Sequence, residues 1–134
     1  MELKVESNVG KIAGSQERIF NFLSDFTNFS GLLPADKVKN FQASNNECTF
    51  EADGIGKSGL KIIEKDPYKT IKITGAQASQ EFFFWVQLKE VAPYDTRIKL
   101  TIKTKMNMVM KMMMEKQLKK FLDTLVEQIC KIPF

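Results

Sequence analysis

Residues 81–131 read EFFFWVQLKEVAPYDTRIKLTIKTKMNMVMKMMMEKQLKKFLDTLVEQICK, and within them the hydrophobic period changes from two to about 3.6. From Glu81 to Val91, Phe82, Phe84, Val86 and Leu88 alternate with Phe83 and Trp85, which predicts a long half-buried strand. Pro93-Tyr94-Asp95 interrupts it, and Ile98, Leu100 and Ile102 then alternate with Arg97, Lys99 and Lys103 in a second strand, Arg97–Lys105. From Met108 to Lys131 a helix is predicted. At 100° per residue Met110, Met114, Leu118, Phe121, Leu122, Leu125 and Ile129 share one face, and Lys116, Lys120, Asp123 and Glu127 the other. Burying that apolar face contributes on the order of 10–20 kcal/mol before chain entropy is counted. The helix is roughly 36 Å long and a nine-residue strand about 30 Å, so one helix can cross a whole sheet.

Working back toward the N-terminus, period two recurs in Val38–Ser44 and Cys48–Ile55, which flank a hairpin signal at Asn45-Asn46. Gly54-Ile55-Gly56 turns the chain into a strand carrying Leu60 and Ile62, and Asp66-Pro67 turns it again into Thr70–Thr74. At the start, Leu3, Val5 and Val9 alternate with Lys4, Glu6 and Asn8 in a strand over residues 2–12. Ser15 is placed to cap a short helix, with Glu17 in its first turn and Ile19, Phe20 and Leu23 at helical spacing. Asp25 is placed to cap a second, carrying Phe26, Phe29, Leu32 and Leu33 and stopped by Pro34. The order is β-α-α-β6-α. It describes an α+β architecture, a seven-stranded antiparallel sheet curled around a long C-terminal helix, as a single domain over residues 1–134.

Seven strands at about 4.8 Å make a sheet nearly 30 Å wide, and a helix only some 10–12 Å across leaves much of it uncovered. The geometry predicts a concave apolar site. Its sheet lining by parity is Phe50, Leu60, Ile62, Ile71, Ile73, Phe82, Phe84, Val86 and Leu100; the helix adds Met110, Met114, Leu118 and Phe121. The competing reading is that the phenylalanines fill the trough as core.

Several segments resemble the START/Bet v1-like superfamily (SRPBCC, the polyketide cyclase/dehydrase and lipid transport type). Ser15-Gln16-Glu17-Arg18-Ile19-Phe20-Asn21-Phe22-Leu23-Ser24-Asp25 is similar to its first-helix signature. Asn28-Phe29 and Leu32-Leu33-Pro34 resemble the segment that follows, and Asp95-Thr96-Arg97-Ile98-Lys99-Leu100 the turn opening its last strand. Gln16 stands where that superfamily often has proline, and Leu33 precedes Pro34 in place of a common tryptophan. The resemblance implies the helix-grip fold and binding of a hydrophobic ligand. It assigns no subfamily, since the superfamily spans lipid carriers, hormone receptors, polyketide cyclases and co-chaperones.

Composition narrows the chemistry. With 43% hydrophobic and 27% charged residues the chain is ordinary globular material. No apolar run approaches the roughly 18 residues of a membrane helix. Met1–Glu6 alternates apolar and charged residues, unlike the apolar core of a signal peptide. A cytoplasmic location with Cys48 and Cys130 as free thiols is therefore expected. There is no histidine; this removes Ser-His and Cys-His pairs and the typical zinc site, and no metal or cofactor is expected. Glu64, two residues beyond Ile62, is the one weak catalytic candidate: a carboxylate turned inward near a strand end would act as an acid if burial raised its pKa. The alternative function is thus a cyclase or dehydratase acting on an apolar substrate.

Apart from Met1, every methionine lies between Met106 and Met114. Thioether clusters bind copper(I), but without histidines a lining that adapts to varied ligands is the better reading of Met110 and Met114. Met112 and Met113 fall toward the polar side, at the strand-to-helix junction or against a partner. On the outer face, counting through the turns sets Lys72 and Lys103 beside Phe83, and Thr70 and Thr101 beside Trp85. These aromatics are either covered by lysine stems or form a partner surface, such as a homodimer interface. The latter defines a third reading, an interaction module with a filled core. Residues 97–120 carry eight basic groups and one acid, a local +7 in a chain of net +4. Alternation with Ile98, Leu100 and Ile102 makes the strand part a solvated row rather than a nucleic-acid surface.

Overall fold

The computed structural model describes residues 2–33, 36–52, 56–76 and 82–134. Its elements are β1 (Glu2–Glu6), β2 (Gly10–Ala13), α1 (Gln16–Leu23), a single 3-10 turn (Phe26–Asn28), β3 (Val38–Ala43), β4 (Glu47–Ala52), β5 (Gly56–Asp66), β6 (Thr70–Gly75), β7 (Phe82–Ala92), β8 (Asp95–Lys105) and α2 (Met108–Cys130). The strands form one antiparallel sheet in the order β1-β8-β7-β6-β5-β4-β3, with β2 also paired to β8. This is the helix-grip arrangement expected from the alternation and the C-terminal helix.

Where the fold departs from the sequence reading, local irregularities are responsible. The first strand is two strands. Glu6 pairs with Thr101 and Gly10 with Ile98, so three residues face two across the ladder and a bulge absorbs the extra one. Ser7 fills the break: its amide donates to the Leu100 carbonyl (2.8 Å), and its Oγ accepts from the Leu100 amide (2.9 Å). The bulge turns Val9 outward into solvent and sets Gly10 on the inner face. The second short helix is only the 3-10 turn, capped by Asp25, whose Oδ1 accepts from the Thr27 amide (2.9 Å). Phe26, Phe29 and Leu32 are buried nonetheless. The Asn45-Asn46 hairpin is present, with Ser44 N donating to Glu47 O. Pro34, Gly54, Ile55 and Glu81 lie outside the described residues.

α1 begins as its sequence dictates, with Ser15 Oγ accepting from the Arg18 amide (3.2 Å). Gln16 then fastens the helix to two hairpins. Its Nε2 donates to the Tyr68 carbonyl (2.7 Å), its Oε1 accepts from the Glu90 amide (2.9 Å), and its own amide donates to the Glu90 carboxylate (2.7 Å). Proline here would remove that last bond and the amide side chain with it.

α2 packs chiefly on β1, β2 and β8, and only its C-terminal half is sealed. Leu122, Leu125, Val126 and Ile129 are buried, whereas Leu118 is half-buried and Phe121 is 37% exposed. Of the predicted apolar face, Leu118 and Phe121 are thus only partly covered, and the buried stripe is centred nearer Leu122 and Ile129. Two contacts fix this position. Asp123 Oδ1 accepts from the Asn8 amide at the bulge (2.7 Å), and Lys119 Nζ donates to Asn8 Oδ1 (2.9 Å). Gly10 provides the space, because a Cβ there would lie 2.5 Å from Val126 Cγ1 and 2.7 Å from Cys130 Sγ.

Candidate functional site

The inner face of the sheet has a packed end and an open end. At the packed end Ile62, Ile71, Ile73, Val86, Leu88, Ile98 and Leu100 lie in one buried cluster with Ile19, Phe20, Leu23, Phe26 and the C-terminal half of α2. Ile71 and Leu100 are fully inaccessible and Ile73 and Val86 nearly so, so no open space adjoins them. Of the expected lining, Ile62, Ile71, Ile73, Val86 and Leu100 are core, because the small helical segments and α2 close over them.

The remaining lining residues stay accessible. Phe50, Leu60, Phe82 and Phe84 are half-buried, as are Ile102 beside Phe84 and, from the helix, Met114 and Leu118; Met110 and Phe121 are exposed. The pairings Cys48↔Leu60, Phe50↔Ser58, Leu60↔Gly75, Ile73↔Phe84 and Phe82↔Thr104 place these sheet residues toward one end, past the reach of α1. Phe50, Leu60, Phe84, Ile102 and Leu118 pack against the edge of the core cluster and keep part of their surface accessible. Among the described residues this half-buried part of the concave face is the candidate trough.

Buried polar side chains are few in the described fold as a whole. Among the described residues the buried polar side chains are four hydroxyls, Ser7, Thr96, Thr101 and Thr104. Thr96 Oγ1 donates to the Gly14 carbonyl (2.8 Å) and Thr101 Oγ1 to Gln87 Oε1 (2.8 Å). Cys48 is buried as parity expects, and burial pushes its thiol up to about 11, so it stays protonated at neutral pH. Burial also raises the half-buried Cys130. No group of three His, Cys, Asp or Glu among the described residues is placed to hold a metal.

Glu64 is not in the trough. β5 carries a bulge between Ile62, paired with Ile73, and Glu64, paired with Lys72. The extra residue, Ile63, shifts the parity, and Glu64 is exposed beside Lys72 on the outer face. An inward acid at this position is ruled out by that register.

On the outer face the register between β6 and β7 differs by two residues from the count made through the turn. Trp85 faces Lys72 and Thr101, and Phe83 faces Thr74 and Lys103. A two-residue slip preserves the face, so the aromatic–lysine cluster forms all the same. The Phe83 and Trp85 rings are 6.0 Å apart, Lys72 Nζ lies 4.8 Å from the Phe83 centroid and 5.7 Å from that of Trp85, and Lys103 Nζ lies 5.7 Å from Trp85. Both aromatics are half-buried under lysine stems. Much of the basic row is likewise engaged: Lys99 Nζ lies 2.7 Å from Glu6, and Arg97 Nε 3.3 Å from Asp95.

Two features escaped the sequence reading. The Gln16 clamp gives no signal, since its partners lie on other hairpins. The break at Ser7 had one, a serine at an inward position of an otherwise apolar alternation.

The sheet, the α1 pair of turns and the long gripping helix define a START/Bet v1-like fold, and solved structures bear this out. Norcoclaurine synthase of Thalictrum flavum, solved as a point mutant with a transition-state analogue, superposes with a TM-score of 0.78 at 11% identity, covering 98% of this chain and 93% of that one. A START superfamily protein of Mycobacterium smegmatis gives 0.66 at 14% identity over 94% and 98%. The Aha1 dimer of Colwellia psychrerythraea gives 0.66 at 16% identity over 96% and 97%. No protein-family model and no curated protein sequence matches the chain. No helix of the described residues is long and apolar enough to cross a membrane.

Proposed function

We propose that this domain binds a small hydrophobic ligand, lipid-like or aromatic, in the trough between the open end of the sheet and α2, for transport or sensing and without chemical conversion. The observation that carries the reading is the set of accessible inner-face side chains, Phe50, Leu60, Phe82, Phe84 and Ile102, facing a helix half that does not cover them. Methionines at the rim suit ligands of varied shape, and a cytoplasmic site of action is part of the same proposal. A ligand that binds only the folded state stabilises it by about 2.7 kcal/mol at a hundredfold excess over Kd, a melting shift on the order of 5–10 °C for a domain of this size. A thermal-shift screen of fatty acids, isoprenoids, sterols and flat aromatics is expected to yield at least one such stabiliser. Met114→Trp should remove the shift by filling the trough, and Glu64→Gln, on the outer face, should leave it unchanged. No stabiliser, together with unfolding of Met114→Trp, would mean a closed core. Turnover of a bound compound would favour a cyclase or dehydratase.

A homodimer through the outer face near Phe83 and Trp85 is the second reading. It is supported by the paired aromatics there and by the dimeric state of the Colwellia structure of the same fold. Sedimentation of Trp85→Ser should then show monomer where the parent shows dimer. A monomeric parent at high concentration ends this reading.

A further inference from the structure

The first turns of α2 are apolar on the side away from the sheet. Met108, Val109, Met110, Met112 and Met113 are 41–74% exposed, and the helix bearing them is ordered at its start by Asn107, whose Oδ1 accepts from the Met110 amide (2.8 Å). At 100° per residue these five side chains spread over about 200° of the helix circumference. The surface is therefore a broad exposed arc, and Met112 at its edge also borders an open groove between α2 and β1, where Val5, Glu6, Lys116, Lys120 and Glu127 lie. Exposed apolar clusters of this kind mark interaction sites.

A collar of cations stands behind the tip. Lys116 and Lys120 are exposed, Lys111 is half-buried, and Lys105 ends the adjoining strand. The acids of this region are Glu115, Glu2 opposite Lys105 in the ladder, and Glu6, Asp123 and Glu127 along the groove that Lys116 and Lys120 share. Glu6 is paired with Lys4 and Lys99, and Lys119 is held by Asp123 and Asn8. Lys116 lies four residues beyond Met112 and Lys120 seven beyond Met113, an axial rise of about 6 and 10 Å. Apolar side chains of interfacial helices sink roughly 5–10 Å past the headgroup level while lysines reach back to it. The spacing of tip and collar matches that depth. Unbranched thioether side chains adapt to a fluid surface without needing a complementary shape.

We propose that the Met108–Met113 tip docks end-on into the surface of an anionic lipid bilayer, with Lys116 and Lys120 on the lipid phosphates. The tip adjoins the open end of the trough, so docking would set the ligand entrance at the membrane; the docking itself does not depend on the ligand reading.

Co-sedimentation with vesicles of phosphatidylcholine, and of equimolar phosphatidylcholine and phosphatidylglycerol, tests it. Each lysine near an anionic surface strengthens binding about fivefold, so partition onto the anionic vesicles is expected to be at least tenfold stronger and to fall with salt. Met112→Gln with Met113→Gln should weaken it about tenfold, Lys116→Glu with Lys120→Glu should abolish it, and the exposed positions leave the fold intact by circular dichroism. With Trp85→Phe as background, the fluorescence of Met112→Trp should be quenched by brominated acyl chains. The proposal is overturned by absence of binding to either vesicle, by binding indifferent to the methionine pair, by an unquenched tryptophan on bound protein, or by a methionine pair that changes only the protein's self-association. Vesicle binding needs no cargo and the thermal-shift screen no vesicles, so either proposal can fail alone.

Discussion

Leu122→Ala is expected to lower the unfolding free energy by about 2–5 kcal/mol, the range for removing a fully enclosed leucine side chain. Leu122 is 1% exposed, on the stripe of α2 that also carries Leu125, Val126 and Ile129. Against a total of roughly 5–15 kcal/mol for a domain, that loss is a large fraction. The comparison that gives it meaning is Phe121→Ala, one residue away and 37% exposed, for which a smaller loss is expected despite the larger side chain. Urea denaturation of the two variants, with equal m-values, measures the difference. A Leu122→Ala cost below about 0.5 kcal/mol, the range of surface sites, would mean that α2 does not hold the core as described.

Gly10→Val is the second large effect. The backbone at Gly10 does not have the positive φ that demands glycine, so the requirement is spatial: Val126 Cγ1, Cys130 Sγ and Ile98 Cγ2 stand 2.5, 2.7 and 3.1 Å from where a Cβ would be. Two of these belong to α2, and β-branched Val126 has little rotamer freedom with which to yield. Added volume must push the helix off β2. Overpacking of this kind costs about 1–3 kcal/mol, occasionally more, and valine with three added carbons is expected at the upper end. Val126→Ala in the same chain should recover part of the loss, with a coupling of about 0.5–3 kcal/mol in a double-mutant cycle. Strict additivity would show that the close approach is not the cause.

Alternation and helical phase made most of the architecture legible, because burial of one face is written directly into residue order. Phe82 to Leu88, Ile98 to Ile102 and the Leu122–Ile129 stripe all lie where parity or phase puts them. What parity cannot see is a bulge. The extra residues at the Ser7–Val9 break and at Ile63 leave composition unchanged, yet each reverses every assignment beyond it until the strand ends. Even spacing from Ile62 allows Glu64 an inward position only because the bulge at Ile63 is invisible to it. The trough was legible as a mismatch of widths, but not its extent: which of thirteen apolar candidates are sealed depends on how far α1 and α2 reach, and reach is set by contacts such as Gln16–Glu90 and Asn8–Asp123 between residues distant in the chain. The β6–β7 register likewise depended on a connection whose length alone does not fix it.

One-sided anchoring of α2 separates two tasks that share a single helix. Residues from Leu122 onward hold the molecule together, while those before Leu118 contribute little to that and are where proposed cargo and membrane contacts fall. Substitutions in residues 108–117 therefore draw little on the small stability reserve of a domain. Descendants of this sequence can exchange one set of rim side chains for another, and with it one binding preference for another, while the remainder of the chain folds as before.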